Sequence, residues 1–331
     1  MSLTAFVTGA SGFLGSSLVR ELHQQGWQVH ILVRKSSSLD DIAELPLTVH
    51  RGDITDADAV SRSLPSKPDA VFHVAASTNI WSRRNAEQER INVDGTRNVI
   101  QAAAESGARR LIHTSSFVTW GFQDAMIDET SMRTESSDWI NYVRTKHLAE
   151  QMVVNAVQAG LLDAVILNPG HILGPGDRRN WSRMIALVDA GKLPGVPPGS
   201  GPFADVTEVA RAHVQAFSKG RTGEKYLLGG EIVTFIDVVR MTGDILGKPV
   251  PGKATPAWLL KSAAGVYSAL SLLTGREPDL TPETAAMVTR NLSCDSSRAQ
   301  RELDYRFTDV RSLLQQTIDW MMSAGMLEPA K

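Results

Sequence analysis

Cysteine is almost absent: Cys294 stands alone in 331 residues. A single thiol permits no intrachain disulfide, so the chain reads as one for a reducing compartment, the cytoplasm. Net charge is close to zero, −2 from 34 basic and 36 acidic residues. The basic residues are not bunched. Arg83-Arg84, Arg109-Arg110 and Arg178-Arg179 are isolated pairs suited to solvated surface, which argues against a nucleic-acid partner. Long apolar runs are missing too. The best membrane candidate, Ser262 to Gly275, has fourteen residues with two Gly and four Ser or Thr, too short and polar to span a bilayer, and reads as an amphipathic helix. Met1-Ser2-Leu3-Thr4-Ala5-Phe6-Val7 has no basic leader before an apolar run, so no signal peptide is expected. The eight His show no His-Glu-x-x-His or other ligand spacing, and no metal is expected.

What is present is an alternation. Short segments at Ala5–Thr8, Gln28–Val33, Leu47–Arg51, Ala70–Val74, Arg110–Thr114 and Ala164–Asn168 read as strands, several of them near-continuous apolar runs as expected for parallel strands covered on both faces. Helical stretches, including Leu14–Gln25, Asn92–Ser106 and Tyr142–Ala159, lie between them. The pattern predicts an α/β fold, a Rossmann-like doubly wound parallel sheet, over residues 1–170. After Pro169 the texture is less regular, and residues 171–331 read mostly as a smaller α/β C-terminal substrate lobe. Within it, residues 203–220 look like a strand and helix returning to the first lobe. Leu193 to Pro202 holds four Pro and three Gly and reads as a loop or lid.

The junction of the first strand and first helix reads Thr8-Gly9-Ala10-Ser11-Gly12-Phe13-Leu14-Gly15. Glycines three apart there suit a tight turn, a close backbone approach to pyrophosphate, and close helix–strand packing. The helix N-terminus adds free N–H groups for phosphate. A dinucleotide site usually selects NAD through an acid after the second strand. Here Val33 is followed by Arg34, Lys35 and three serines, with no acid before Asp40. Cations and hydroxyls suit a 2′-phosphate, so NADP(H) is preferred over NAD(H). Further positions facing the same ligand are Asp53 and Ile54 after the third strand and the small residues Ala75 and Ala76 after the fourth. Asn92 opens a later helix, as cap or as ligand. Asp53 reads equally as a turn acid.

Tyr142 and Lys146 lie one helical turn apart on one face. A phenol has a reference pKa of about 10, and a nearby ammonium stabilises the phenolate and lowers it. Such a pair can pass a proton to or from a substrate oxygen. Leu111-Ile112-His113-Thr114-Ser115-Ser116 ends a strand in hydroxyls, where doubly wound folds bind ligand. A serine there can hydrogen-bond the same oxygen.

Taken together these motifs resemble the extended short-chain dehydrogenase/reductase superfamily, the NAD(P)-dependent epimerase/dehydratase family. The motifs that carry the resemblance are the glycine turn, Gly52-Asp53-Ile54, Asn92-Val93-Asp94-Gly95-Thr96, Thr114-Ser115-Ser116, Tyr142-Val143-Arg144-Thr145-Lys146, and Asn168 to Asp177. The branch it resembles is the dihydroflavonol reductase-like, 3β-hydroxysteroid dehydrogenase-like one, through Val33-Arg34, Gly229-Gly230-Glu231, Gly247-Lys248-Pro249 and Leu273 to Pro278. The resemblance implies Ser116, Tyr142 and Lys146 as catalytic residues, with Ser115 the alternative serine. It implies that Lys146 binds nicotinamide ribose, that Pro169, Gly170 and Ile172 flank the carboxamide, and that Thr114 borders the cofactor. A homodimer is a further implication.

Loops around the expected cleft carry Thr78, Trp81, Trp120 and His171, candidates for substrate contact; His171 also suits packing. Two tryptophans favour an apolar or aromatic substrate. The expected activity is NADPH-dependent reduction of a ketone or aldehyde, reversible as an alcohol dehydrogenase. The alternatives are a nucleotide-sugar epimerase or dehydratase with tightly bound NAD, and a non-catalytic NADP-binding sensor.

Overall fold

In the computed structural model, residues 2–133 and 139–327 are described; the outer ends expected for the two lobes, 1 and 331, fall outside them. The strands are β1 (Thr4–Thr8), β2 (Gln28–Val33), β3 (Thr48–Arg51), β4 (Ala70–His73), β5 (Arg110–Thr114), β6 (Ala164–Pro169), β7 (His171–Leu173), β8 (Ser200–Asp205), β9 (Lys225–Leu228) and β10 (Glu231–Thr234). The helices are α1 (Phe13–Gln24), α2 (Ala57–Ser63), α3 (Asn85–Glu89), α4 (Gly95–Ser106), α5 (Asn141–Gln158) and α6 (Trp181–Asp189). They continue as α7 (Val206–Lys219), α8 (Phe235–Leu246), α9 (Ala257–Thr274), α10 (Pro282–Val288), α11 (Ser297–Leu303) and α12 (Val310–Ser323).

Seven strands form one parallel sheet in the order β3-β2-β1-β4-β5-β6-β9. The order reverses beside β1, where this architecture opens a crevice at the strand carboxyl ends. Every residue of β4 and β6 is buried. Their side chains alternate between two cores. On one face Val7, Phe72, Ile112 and Val165 pack with α1 and α7; on the other Phe6, Val71, Leu111 and Ile166 pack with Val99 of α4 and Val153 of α5. Continuous apolar strands are what a sheet covered on both sides requires.

The sheet departs from the sequence expectation at one edge. Phe203 to Asp205 belongs to a separate three-stranded sheet, β10-β8-β7, and only the following helix α7 returns to the large sheet. The seventh parallel strand is β9, four residues after a short turn, which the sequence reading passed over. Gly170 explains part of this: a Cβ there would lie 2.5 Å from the Pro202 carbonyl oxygen, so glycine lets β7 and β8 come together directly after β6. The small sheet packs Phe203 and Val233 against α6, α8 and α12, through Ile185, Val238, Leu314 and Ile318.

Candidate active site

The glycine turn is built by contact. Gly9 has φ +78°, and a Cβ there would sit 2.6 Å from the Ala75 nitrogen. A Cβ on Gly15 would meet the Gly9 carbonyl oxygen at 2.0 Å. The first glycine therefore lets the turn press on the end of β4, and the third lets α1 press on the turn. Gly12 is the N-cap of α1 and no side chain caps it. Ser11 and Gly12 are exposed at this mouth, Phe13 is partly so, and Leu14 is buried. The crowded glycines and the uncapped helix end form a cradle that fits a dinucleotide pyrophosphate.

At the end of β2, Arg34 and Lys35 are both exposed. Arg51 from the end of β3 donates to the carbonyls of Arg34 and Ser37, at 3.1 and 3.2 Å, which shapes this loop and adds a cation the sequence reading omitted. Asp53 turns onto its own chain, accepting from the backbone N–H and hydroxyl of Thr55, both at 2.9 Å; it is a turn acid here. Ile54 is buried and lies under Gly95, where a Cβ would come 2.6 Å from its Cδ1. Ala75 is half-buried and Ala76 exposed at the end of β4.

Asn92 is not a helix cap. It sits in a π-helical turn, Arg90–Asp94, ahead of α4. Its side chain pairs with both backbone groups of Ser77, at 2.7 and 3.0 Å, and donates to Thr145 of α5 at 3.1 Å. One amide thus fixes the loop after β4 to the helix that carries Tyr142 and Lys146. π-turns often mark such places.

Ser115 and Ser116 point apart. The Ser115 hydroxyl donates to the Glu150 carboxylate. Ser116 Oγ accepts from the Val118 N–H at 3.4 Å and lies near enough to the Tyr142 phenol to draw its pKa down. Lys146 is buried, and its Nζ donates to the Thr114 carbonyl oxygen at 2.7 Å. Burial brings its pKa down to about 8, against the pull of Glu150 upwards. For Tyr142 the balance differs from the sequence expectation. Burial pushes the phenol above its ordinary value and the Ser116 hydroxyl draws it back, with the Lys146 ammonium turned to the Thr114 carbonyl.

Behind these residues lies a network that sequence reasoning missed. Glu150 is fully buried and accepts from Thr119 and Asn168, at 3.1 and 2.7 Å. Arg133 and Lys225 lie 2.6 and 3.2 Å from its other oxygen. Burial raises its pKa, but the two cations together with the Ser115 and Asn168 hydrogen bonds outweigh that and hold it ionised, below the usual carboxylate range. The signal was there to be read: Tyr142, Lys146 and Glu150 recur every four residues on one helical face.

The expected substrate residues divide. Thr78 is exposed and Trp81 nearly buried, with the Arg83 guanidinium 5.4 Å above its ring. Trp120 is fully buried under Arg133, 4.3 Å away, so it lies inside the wall rather than on its face. His171 is ringed by Phe117, Trp181, Phe203 and Phe235, and burial alone lowers its pKa to about 4. It packs as a neutral aromatic. Pro169 is buried at the end of β6, and Gly170 and Ile172 follow, half-buried. Among the described residues no group of His, Cys, Asp and Glu could hold a metal, and no helix is long and apolar enough to cross a membrane.

This geometry agrees with a family match. The NAD dependent epimerase/dehydratase family matches residues 5–229. The chain belongs to that family. It is an NAD(P)-dependent oxidoreductase of the extended short-chain dehydrogenase/reductase type. A relative from Synechocystis sp., provisionally named a dihydroflavonol 4-reductase, is 31% identical over 98% of this chain and 96% of its own. Sterol demethylase protein B of Methylococcus capsulatus is 30% identical over 98% of this chain and all of its own length, 100%. The crystal structure of gox2253 superposes with a TM-score of 0.86 at 33% identity, covering 99% of this chain and 100% of that one.

Proposed function

We propose that this oxidoreductase reduces the carbonyl of an apolar ketone or aldehyde with NADPH, and runs in reverse as an alcohol dehydrogenase. The observation that carries the reading is that Glu150 engages the Ser115 hydroxyl, which leaves Ser116 as the serine beside the Tyr142 phenol. A neutral phenol is the protonated form a reductase needs at its active site, and burial favours that form.

Gly9, Gly12 and Gly15 would hold the pyrophosphate, Arg34 and Lys35 a 2′-phosphate, and Lys146 the nicotinamide ribose. When bound, the nicotinamide supplies the hydride to the carbonyl carbon. Tyr142 gives its proton to the carbonyl oxygen, and Ser116 donates a hydrogen bond to that oxygen as charge develops on it. Lys146 stabilises the phenolate that remains. Asn92 and Asn168 keep these groups in register by hydrogen-bonding the backbone on either side.

Trp81 beside the cleft and a relative named for sterol demethylation both support an apolar substrate. A nucleotide-sugar epimerase would need free cations for a diphosphate. The open cavity of about 320 Å³ between Ile80 and Thr284 has Arg183 in its wall, but Asp279 already pairs with it. A non-catalytic sensor would have no use for the Ser116–Tyr142 pair.

The test is NADPH oxidation with aliphatic, aromatic, steroidal and flavonoid carbonyls. Tyr142→Phe removes the proton donor, and its turnover should fall by at least about two orders of magnitude, in line with loss of general acid catalysis. Equal turnover by wild type and variant removes the mechanism.

A further inference from the structure

Helix α9 is the least buried long element of the fold. Of its eighteen residues only Ala264 and Ser271 are buried. Among the described residues, seven of the fifteen exposed large apolar side chains lie on it, with Leu273 86%, Leu272 70% and Trp258 69% exposed. At 100° per residue, Leu272, Trp258, Leu273, Val266, Leu259 and Leu270 sweep about 160° of the surface, opposite Ala264 and Ser271. This is a continuous apolar face rather than scattered exposure.

Its charge is one-sided. From Ile245 to Arg276 there is no acid, and the cations are Lys248, Lys253, Lys261 and Arg276. Asp189 holds Lys248. The other three carry no ion pair among the described residues, and they stand before, within and after the helix. The helix also sits at the rim of the cleft. Its Ser271 carbonyl accepts from Arg83, next to Trp81, and Val196 of the Pro-rich loop bonds to Thr255 just ahead of it.

We propose that α9 is a peripheral membrane-docking helix that lies in the interface of an anionic phospholipid bilayer. Its apolar face enters the headgroup–acyl boundary, Trp258 sits at headgroup level, and Lys253, Lys261 and Arg276 meet lipid phosphates. Charge decides between this surface and a second copy of the chain. An isologous contact through the same face would set three unpaired cations against three others, whereas an anionic bilayer neutralises them.

The experiment is co-sedimentation of the purified full chain with vesicles of phosphatidylcholine alone and of equal parts phosphatidylcholine and phosphatidylglycerol. Binding to the anionic vesicles is expected, reduced by high salt. Val266→Glu, at an exposed position, should lower the bound fraction roughly tenfold with unchanged thermal melting. Lys253→Gln/Lys261→Gln/Arg276→Gln, which spares the apolar face, should weaken binding to anionic vesicles only. A wild-type chain that stays in the supernatant overturns the proposal. So does light scattering that shows a dimer dissociated by Val266→Glu, with no vesicle binding.

Discussion

Asn168 and Glu150 meet at 2.7 Å, Nδ2 to Oε2, where both residues are completely shielded from solvent. The same amide nitrogen lies 3.0 Å from the Ser116 carbonyl oxygen. A carboxylate on α5 is therefore tied to the strand end that carries Ser116. Tyr142 and Lys146 stand on that same helix, so the Glu150 network sets the spacing between the serine and the other two.

Removing this charge should show in two readouts. Glu150→Gln leaves Arg133 and Lys225 without their counter-charge. Both are mostly buried, and breaking such a pair costs about 3 kcal/mol. A urea denaturation should report that loss. Glu150 also holds the Lys146 pKa up, so the variant's lysine should titrate below the wild-type value of about 8. The basic limb of the pH–activity profile should move to lower pH, an effect that loss of stability alone does not produce.

Much of this was legible in the chain, because the covered sheet and the phosphate turn impose local rules. Short strand segments, several of them continuously apolar, located six of the seven members of the large sheet, and Gly9 and Gly15 occupy positions that admit no Cβ. The Glu150 network was harder to read. Its members come from Ser115, Thr119, Arg133, Asn168 and Lys225, which only the fold assembles. Likewise, whether Asp53 faces ligand or its own turn depends on the Thr55 side chain, and Trp120 vanishes into the core because Arg133 covers it. Residue type marked these positions; direction came from tertiary contact.

The ribose loop supplies a specificity prediction. Arg34→Ser/Lys35→Ser removes two exposed cations without disturbing a packed side chain. The ratio of kcat/KM for NADPH over NADH should fall by roughly tenfold or more, since each charge-assisted phosphate contact contributes about 1.5 kcal/mol or more. Parallel kinetics with both cofactors check it. An unchanged ratio means that these cations do not meet a 2′-phosphate.

Gly15→Ala places a methyl where the Gly9 carbonyl oxygen already lies, 2.0 Å from the ideal Cβ position. Neither backbone can yield without moving α1 away from the turn. Overpacking of this kind costs about 1–3 kcal/mol. Affinity for NADPH, followed by fluorescence titration, should fall about tenfold, and the loss of stability should be milder for Gly12→Ala, whose nearest protein neighbour is 3.3 Å away.

Acid should destabilise the fold before Glu150 titrates. His73 bridges Thr8 and Thr96, at 2.8 and 2.9 Å, and His213 bonds Thr114 at 2.8 Å, all fully inside the protein. Burial, joined at His73 by the Lys146 charge, lowers their pKa values to about 3 and about 4 from an ordinary 6.5. In the unfolded chain both bind protons as pH falls through 6.5, while the folded chain stays neutral. The unfolded state then holds more protons, so stability drops with falling pH. The loss begins near 6.5, continues to about 4 for His213 and about 3 for His73, and levels off below. Glu150, held below 4.5, adds its own loss only under that value. Between pH 6.5 and 4.5 His73 and His213 contribute about 2 kcal/mol each, and His171, lowered to about 4 by burial, adds a similar loss. Urea midpoints measured across that window should fall steadily, and His213→Gln should flatten the slope; a flat wild-type profile would falsify the neutral, buried state of both rings.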